Sequence, residues 1–188
     1  MSAAAAARAI EVLHSFGVGI WLFSPDHWLL RDPNGDYVER ERRTVAAEPT
    51  VVPDYEPHLA DLCKIVGVSR DFDRLAECEG AVKAALGTSA SAARSQRYYL
   101  DITPPGVDKG TIVDALAERL SIPAEEIVTI GDMDNDVSMF RKSGFSIAVG
   151  NASDAAREAA SVLCSKTNDS DAFAEAVDRF ILPRLAQT

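Results

Sequence analysis

The stretch TIGDMDNDVSMF, Thr129 to Phe140, decides the reading of this chain. Ile127 to Ile130 is a short run rich in β-branched residues, the composition of a buried strand. That strand delivers Gly131 and Asp132 to the carboxyl edge of a sheet, and Asp136 follows four residues later at the mouth of the next helix. Two carboxylates therefore converge on one point. Hard oxygen ligands in a polar loop favour Mg²⁺, which keeps several waters and shares its coordination with substrate phosphate. Asn135 adds an amide able to contact a phosphate oxygen or orient a carboxylate. Asp132 also starts an Asp-x-Asp-Asn-Asp pattern like that of a calcium loop. Its sixth position is Val137, where glycine is needed, and its twelfth is Ser143, where a bidentate glutamate is needed, so that reading fails. The bland alternative is an acidic loop in which Asp134 or Asn135 only caps a helix.

Helices and short apolar strands alternate on either side of this motif. Lys109 to Leu120 is expected to be a helix with Ile112, Val113, Leu116 and Leu120 on one face. The motif's own helix is expected from Asp136 to Ser143, stopped by Gly144. A strand at Phe145 to Val149, a helix at Ser153 to Ala160, a short strand at Val162 to Cys164 and a closing helix at Ala172 to Leu182 complete the series. Strands joined by single helices imply a parallel sheet with right-handed crossovers, and in such sheets ligands sit beyond the carboxyl ends of the strands.

Two further elements point at that edge. PPGVDKG, Pro104 to Gly110, places Lys109 at the start of a helix, where an ammonium opposes the helix dipole. It makes sense there beside an anion, neutralising a phosphoryl group; alone, it would be ordinary solvated surface. In AVGNASDAAREAA, Asn151 lies just past the next strand on the same edge as Asp132, and Ser153 or Asp154 serves as a helix cap.

The N-terminal half has a different texture. Ala3 to His14 reads as a helix, Gly17 to Phe23 as a buried strand, and Trp28 to Arg31 as its hairpin partner. Val38 to Ala47 is charged and helical, with Arg40, Arg42 and Arg43 interleaved with Glu39 and Glu41 as a solvated face. Pro49 to Pro57 is a connection, Cys63 to Val68 a strand, and Asp71 to Leu86 an amphipathic helix. Gly87 to Ser95 is either a weak strand or a loop, and Gln96 to Thr103 is a strand. No internal repeat is visible.

Composition narrows the function classes. The 188 residues are 47% hydrophobic and 26% charged, enough for one large domain or two small ones. A formal charge of -10 opposes binding of nucleic acid. The three cysteines, Cys63, Cys78 and Cys164, have no C-x-x-C spacing and suit a reducing cytosol. Arg8, Glu11 and His14 interrupt the opening apolar stretch, and no run approaches the ~20 residues a bilayer needs. A soluble, cytoplasmic protein without membrane contact is the expectation.

The lysine at a helix start, then G-D-x-x-N-D after a strand, then G-N-A after the next, closely resembles the haloacid dehalogenase (HAD) superfamily, in its Cof-type or IIB phosphatase branch. The resemblance runs over Tyr98 to Leu182; more loosely, Ala9 to Tyr99 is similar to the later portion of that branch's α/β cap. It implies an α/β fold in which 98–188 form the C-terminal half of a Rossmann-like parallel-sheet core. Residues 1–97 would be a partial cap that selects substrate. It implies hydrolysis of small, sugar-phosphate-like monoesters with Mg²⁺ as cofactor, through an aspartyl-phosphate. Lys109 would neutralise phosphate, Asp132 and Asp136 would bind or position Mg²⁺, and Asn135 and Asn151 would line the substrate side. A phosphomutase-like member is the related alternative.

The family's D-x-D-x-T segment, which carries the nucleophile, is not found in this sequence. Asp71-Phe72-Asp73 follows a strand, but Leu75 stands where threonine belongs, and a helix start explains the pair. The expectation is a chain that begins part-way through a longer protein and has little or no activity by itself. The competing expectation is a non-catalytic phosphate- or cation-binding protein, or one complemented by another chain. The missing central strand would expose apolar edges and invite self-association.

Overall fold

The computed structural model describes residues 1–185, so the last three residues of the expected second domain lie outside it. Two compact units divide after Val107.

In the first unit, Met1–Val107, the elements run α1 (Ala3–Ser15), β1 (Gly19–Phe23), β2 (Trp28–Leu30), α2 (Val38–Val45), β3 (Thr50–Val51), β4 (Lys64–Val68), α3 (Phe72–Leu86), β5 (Ser91–Gln96) and β6 (Tyr99–Thr103). The strands form one sheet in the order β3-β2-β1-β4-β6-β5, antiparallel except for the β2–β3 pair. Period-two alternation sends Ile20, Leu22, Ile65, Leu100 and Ile102 to one face, where α1 and α3 close the core. Trp21, Trp28, Leu30, Val66 and Val68 fall on the other face with Val38 of α2.

The helices on the first face follow from their sequences. Ser2 accepts the amide of Ala5 to start α1, whose Ala5, Ala6, Ala9, Val12 and Leu13 are buried. The small stripe lets α1 approach closely. At Gly67 of β4 a Cβ would stand 2.7 Å from Leu13 Cδ2. Asp71 accepts the amide of Arg74 as the cap of α3, so the Asp71-Phe72-Asp73 pair is a helix start in the structure. Buried Glu79 of α3 is held by Lys83 at 2.6 Å and Arg94 at 2.8 Å.

The second unit, Asp108–Thr188, carries α4 (Lys109–Leu120), β7 (Val128–Gly131), α5 (Val137–Phe140), β8 (Phe145–Ala148), α6 (Asp154–Ala159), β9 (Val162–Leu163) and α7 (Ala172–Ala176). Its strands are parallel in the order β7-β8-β9, the arrangement expected from single-helix crossovers. The core is built from small side chains around Phe140 and Ile147: Ala148, Ala152, Ala156, Cys164, Ala172 and Ala176.

Several expectations need correction. The boundary falls after Val107 and not after 97, because β6 is hydrogen-bonded between β4 and β5 and belongs to the first sheet. Gly87 to Ser95 resolves into a short turn and the strand β5. The helix expected at Asp136 to Ser143 is a 3₁₀ turn at Asp134–Asp136 followed by the single turn of α5. The closing helix starts where expected, then widens into a π turn at Val177–Ile181. Glu41, expected on a solvated face, is buried and accepts the Tyr99 hydroxyl at 3.1 Å. Finally, α4 spans the expected residues, yet Ile112, Leu116 and Leu120 on its apolar face are 55%, 51% and 60% exposed.

Candidate functional site

The parallel strand β7 ends at Gly131, and the reason for glycine is steric. A Cβ at 131 would stand 2.5 Å from Asp136 Oδ2. Without it, Asp136 folds back against the strand end and is only 1% exposed. Its Oδ2 accepts the main-chain amides of Asp132 at 2.8 Å and Met133 at 3.0 Å. Its Oδ1 accepts Lys109 Nζ. One carboxylate thus closes its own loop and holds the lysine, with its charge balanced by an ammonium and two N–H dipoles.

Lys109 reaches this carboxylate because α4 starts in a fixed place. Asp108 caps the helix, accepting the Thr111 amide at 2.9 Å, while Thr111 Oγ1 accepts the Asp108 amide at 3.2 Å. Gly110 packs so tightly on α5 that a Cβ there would lie 2.7 Å from the Ser138 carbonyl oxygen, and its amide donates to Ser138 Oγ at 3.0 Å. In the structure the anion beside Lys109 is the Asp136 carboxylate, not the phosphoryl group that the sequence led us to expect there.

Asp132 is half-buried beside this pair. Burial, followed by the negative charge of Asp136, pushes its carboxyl above the usual 3.8, with Lys109 opposing. Its side-chain donor is Asn168 Nδ2 at 3.4 Å. Asp134 Oδ1 accepts Ser153 Oγ at 2.6 Å, and the Ser153 amide donates to the Asp132 carbonyl at 2.8 Å. Ser153 also caps α6, as expected from its position. These bonds tie the loop after β7 to the loop after β8. The Asn135 side-chain oxygen is buried with no protein partner, a polar atom left over in the same loop.

Asn151 is drawn to this edge through another amide. It donates Nδ2–H to Asn168 Oδ1 at 3.0 Å and accepts the Asn168 main-chain amide at 2.9 Å. The structure therefore brings Lys109, Asp132 and Asp136 together directly and Asn151 through Asn168. Asn168 and the glutamate that anchors its loop, Glu175, are not singled out by the sequence reading. Asn168 follows the third parallel strand, so applying the strand-end rule once more would have reached it.

The donor set suits a hard divalent cation at one residue more than the other. Both oxygens of Asp136 are engaged, so it fits as the group that positions Lys109 and the loop. Asp132 is the less engaged of the two, with a weak side-chain donor in Asn168 at 3.4 Å and a main-chain amide beside it, and keeps lone pairs for a metal. Among the described residues, no group of three or more His, Cys, Asp or Glu side chains stands together. A cation at Asp132 would therefore take other oxygens from water and phosphate, as Mg²⁺ does.

Residues 1–177 match the family model described as haloacid dehalogenase-like hydrolase. A phosphoglycolate phosphatase of Halobacterium salinarum is 44% identical over 82 residues, covering 44% of this chain and 36% of that protein. A haloacid dehalogenase-like hydrolase from Bacteroides thetaiotaomicron superposes with a TM-score of 0.68 at 27% identity, covering 90% of this chain and 64% of that one. A HAD subclass IIB sugar phosphatase gives a TM-score of 0.75 at 20% identity, covering 92% of this chain and 66% of the other. The chain thus spans little more than a third of the phosphoglycolate phosphatase and just under two thirds of these solved structures. No described helix is long and apolar enough to cross a membrane.

Proposed function

Because the chain belongs to the haloacid dehalogenase-like hydrolases, we propose that it is the cation- and phosphate-handling part of a phosphatase that cleaves small phosphate monoesters. The observation that carries this reading is the Lys109–Asp136–Asp132 constellation at the carboxyl edge of a parallel sheet. An ammonium held by a carboxylate that is itself fixed by two amides is preorganised for an anion. Lys109 keeps 46% of its side chain exposed, so it can take a phosphate oxygen without leaving Asp136. Asp132 holds Mg²⁺, and Asn135 and Asn151 line the space beside it. Bound there, Mg²⁺ supplies positive charge to the phosphoryl oxygens.

Phosphate monoesters as substrates draw support from two neighbours, a phosphoglycolate phosphatase and a sugar phosphatase. For this chain the substrate in this reading is a small phosphorylated metabolite of the cytoplasm, with neither nucleic acid nor membrane as a partner. The family's aspartyl-phosphate needs a nucleophilic carboxylate that we assign to no residue of this chain. Asp71 is committed to capping α3.

The expected result is that Mg²⁺ with inorganic phosphate raises the thermal midpoint, that Asp132→Ala abolishes the shift, and that turnover of p-nitrophenyl phosphate stays at or near background. No shift with either additive overturns the site reading. Robust Mg²⁺-dependent turnover lost in Asp132→Ala overturns the statement that no residue of this chain serves as the nucleophile. Stabilisation without turnover, even alongside a chain supplying a D-x-D-x-T strand, selects the non-catalytic binding reading.

A further inference from the structure

We propose that Asn168 is a positioning residue for Asp132, and that Glu175 is the anchor that holds Asn168 in place. The inference deepens the cation reading above but rests on geometry that is independent of any bound ion.

The anchor is densely bonded. From α7, the Glu175 carboxylate accepts the amide and hydroxyl of Ser165 at 3.1 and 2.9 Å, the amide of Lys166 at 2.8 Å, and Arg179 Nη1 at 3.0 Å. These bonds hold its carboxyl down at about 2, far below the usual 4.5. The chain leaving β9 is thereby fixed at Ser165 and Lys166. From the other side, the Gly150 amide donates to the Lys166 carbonyl at 2.7 Å, and a Cβ at 150 would lie 2.7 Å from that same oxygen. Thr167 and Ser170 then close a tight turn, with the Ser170 amide on the Thr167 carbonyl at 2.9 Å. Asn168 sits at the head of this turn.

The direction of each amide follows by elimination. The main-chain N–H of Asn168 meets Asn151 at 2.9 Å, so the atom facing it is an acceptor, Asn151 Oδ1. Asn151 Nδ2 then faces Asn168 at 3.0 Å and requires Oδ1 there. That leaves Asn168 Nδ2 as the atom aimed at Asp132, 3.4 Å from Oδ2. The last separation is long for a hydrogen bond. As a weak contact it acts through orientation, biasing which oxygen of Asp132 faces Asn168. Partners that orient a metal-binding carboxylate typically change metal affinity by 10–100-fold when removed.

The test uses the chain as it stands, with Mn²⁺ as the probe ion, and NMR of the asparagine side-chain amides as a readout that needs no ion. In the ion-free protein, Asp132→Ala should move the Asn168 side-chain resonances, and Glu175→Gln should shift the same resonances toward random-coil positions. In calorimetric titrations, Asn168→Ala and Glu175→Gln should each weaken Mn²⁺ binding about tenfold, while Asp169→Asn, a neighbouring control, leaves it unchanged. Asn168 resonances that stay in place in Asp132→Ala overturn the proposal, whatever the ion does. Equal weakening by Asp169→Asn also overturns it, because a loop charge would then explain the effect. If wild type takes up no Mn²⁺ but the resonances move as expected, the positioning geometry stands and the cation reading of the site fails.

Discussion

The two units solve the problem of staying folded in different ways. In Met1–Val107, alternating side chains bury both faces of a six-stranded sheet, and Leu13, Leu22, Leu30, Ile65, Leu75 and Leu100 are at most 1% exposed. In the unit that carries the candidate site, Ile112, Leu116, Leu120, Phe173, Leu182 and Leu185 are all more than half exposed, around a sheet of only three strands. Order there comes from polar ties: Asp136 on two amides and a lysine, Glu175 on three donors of one loop, Ser153 on Asp134. Apolar burial is insensitive to direction, whereas hydrogen bonds fix geometry, so the unit that carries the candidate site is the one that leans on directional contacts.

That contrast can be broken most forcefully in the first core. Leu75→Ala, at a site with no exposure, should cost about 2–5 kcal/mol in urea denaturation. Next in size is Gly131→Ala, whose methyl collides with Asp136 and should cost about 1–3 kcal/mol. It should also remove any Mg²⁺-induced rise in thermal midpoint. If Gly131→Ala is silent, directional ties do not govern the second unit.

A smaller, opposite effect is expected for Asp132→Asn. The folded-state carboxyl of Asp132 lies above its unfolded value, so the native state binds the proton more tightly and wild type loses stability as pH climbs through that interval. The neutral amide removes that penalty. Without divalent ions at pH 7, Asp132→Asn should melt above wild type, and the gap should close below the ordinary 3.8. With Mg²⁺ the order should reverse. The smallest change belongs to the exposed stripe of α4: Leu116→Ser should alter stability by no more than about 0.5 kcal/mol. It should nevertheless reduce concentration-dependent light scattering, since exposed apolar surface promotes self-association. A large loss of stability in this variant would mean that α4 is packed in solution.

The sequence made the second unit's scaffold legible because each element carries local signals. Asp108 and Thr111 bracket the start of α4, β-branched residues mark β7, and Ser153 caps α6. The constellation of Lys109, Asp132 and Asp136 was legible for the same reason, since strand ends and helix starts bring those residues to one edge. What stayed hidden depends on contacts distant in sequence. Ser91–Gln96 has no apolar alternation and becomes a strand only by pairing with β6. Glu41 looked solvated because its partner, Tyr99, lies 58 residues away. Asn168 belongs to a loop whose composition reads as an ordinary turn, and its value comes from the Glu175 anchor, which no local pattern encodes.

The sequence spacing of the site contacts also has a kinetic consequence. Site contacts join residues 17, 19, 27 and 36 positions apart, whereas the Glu41–Tyr99 tie in the first unit spans 58. Each doubling of the intervening chain adds about 0.6 kcal/mol to the entropy of closing it, and short-range contacts shorten the search for the native arrangement. The contacts of the charged edge should therefore close on refolding before the Glu41–Tyr99 tie does, so that its geometry takes shape without waiting for that distant pairing.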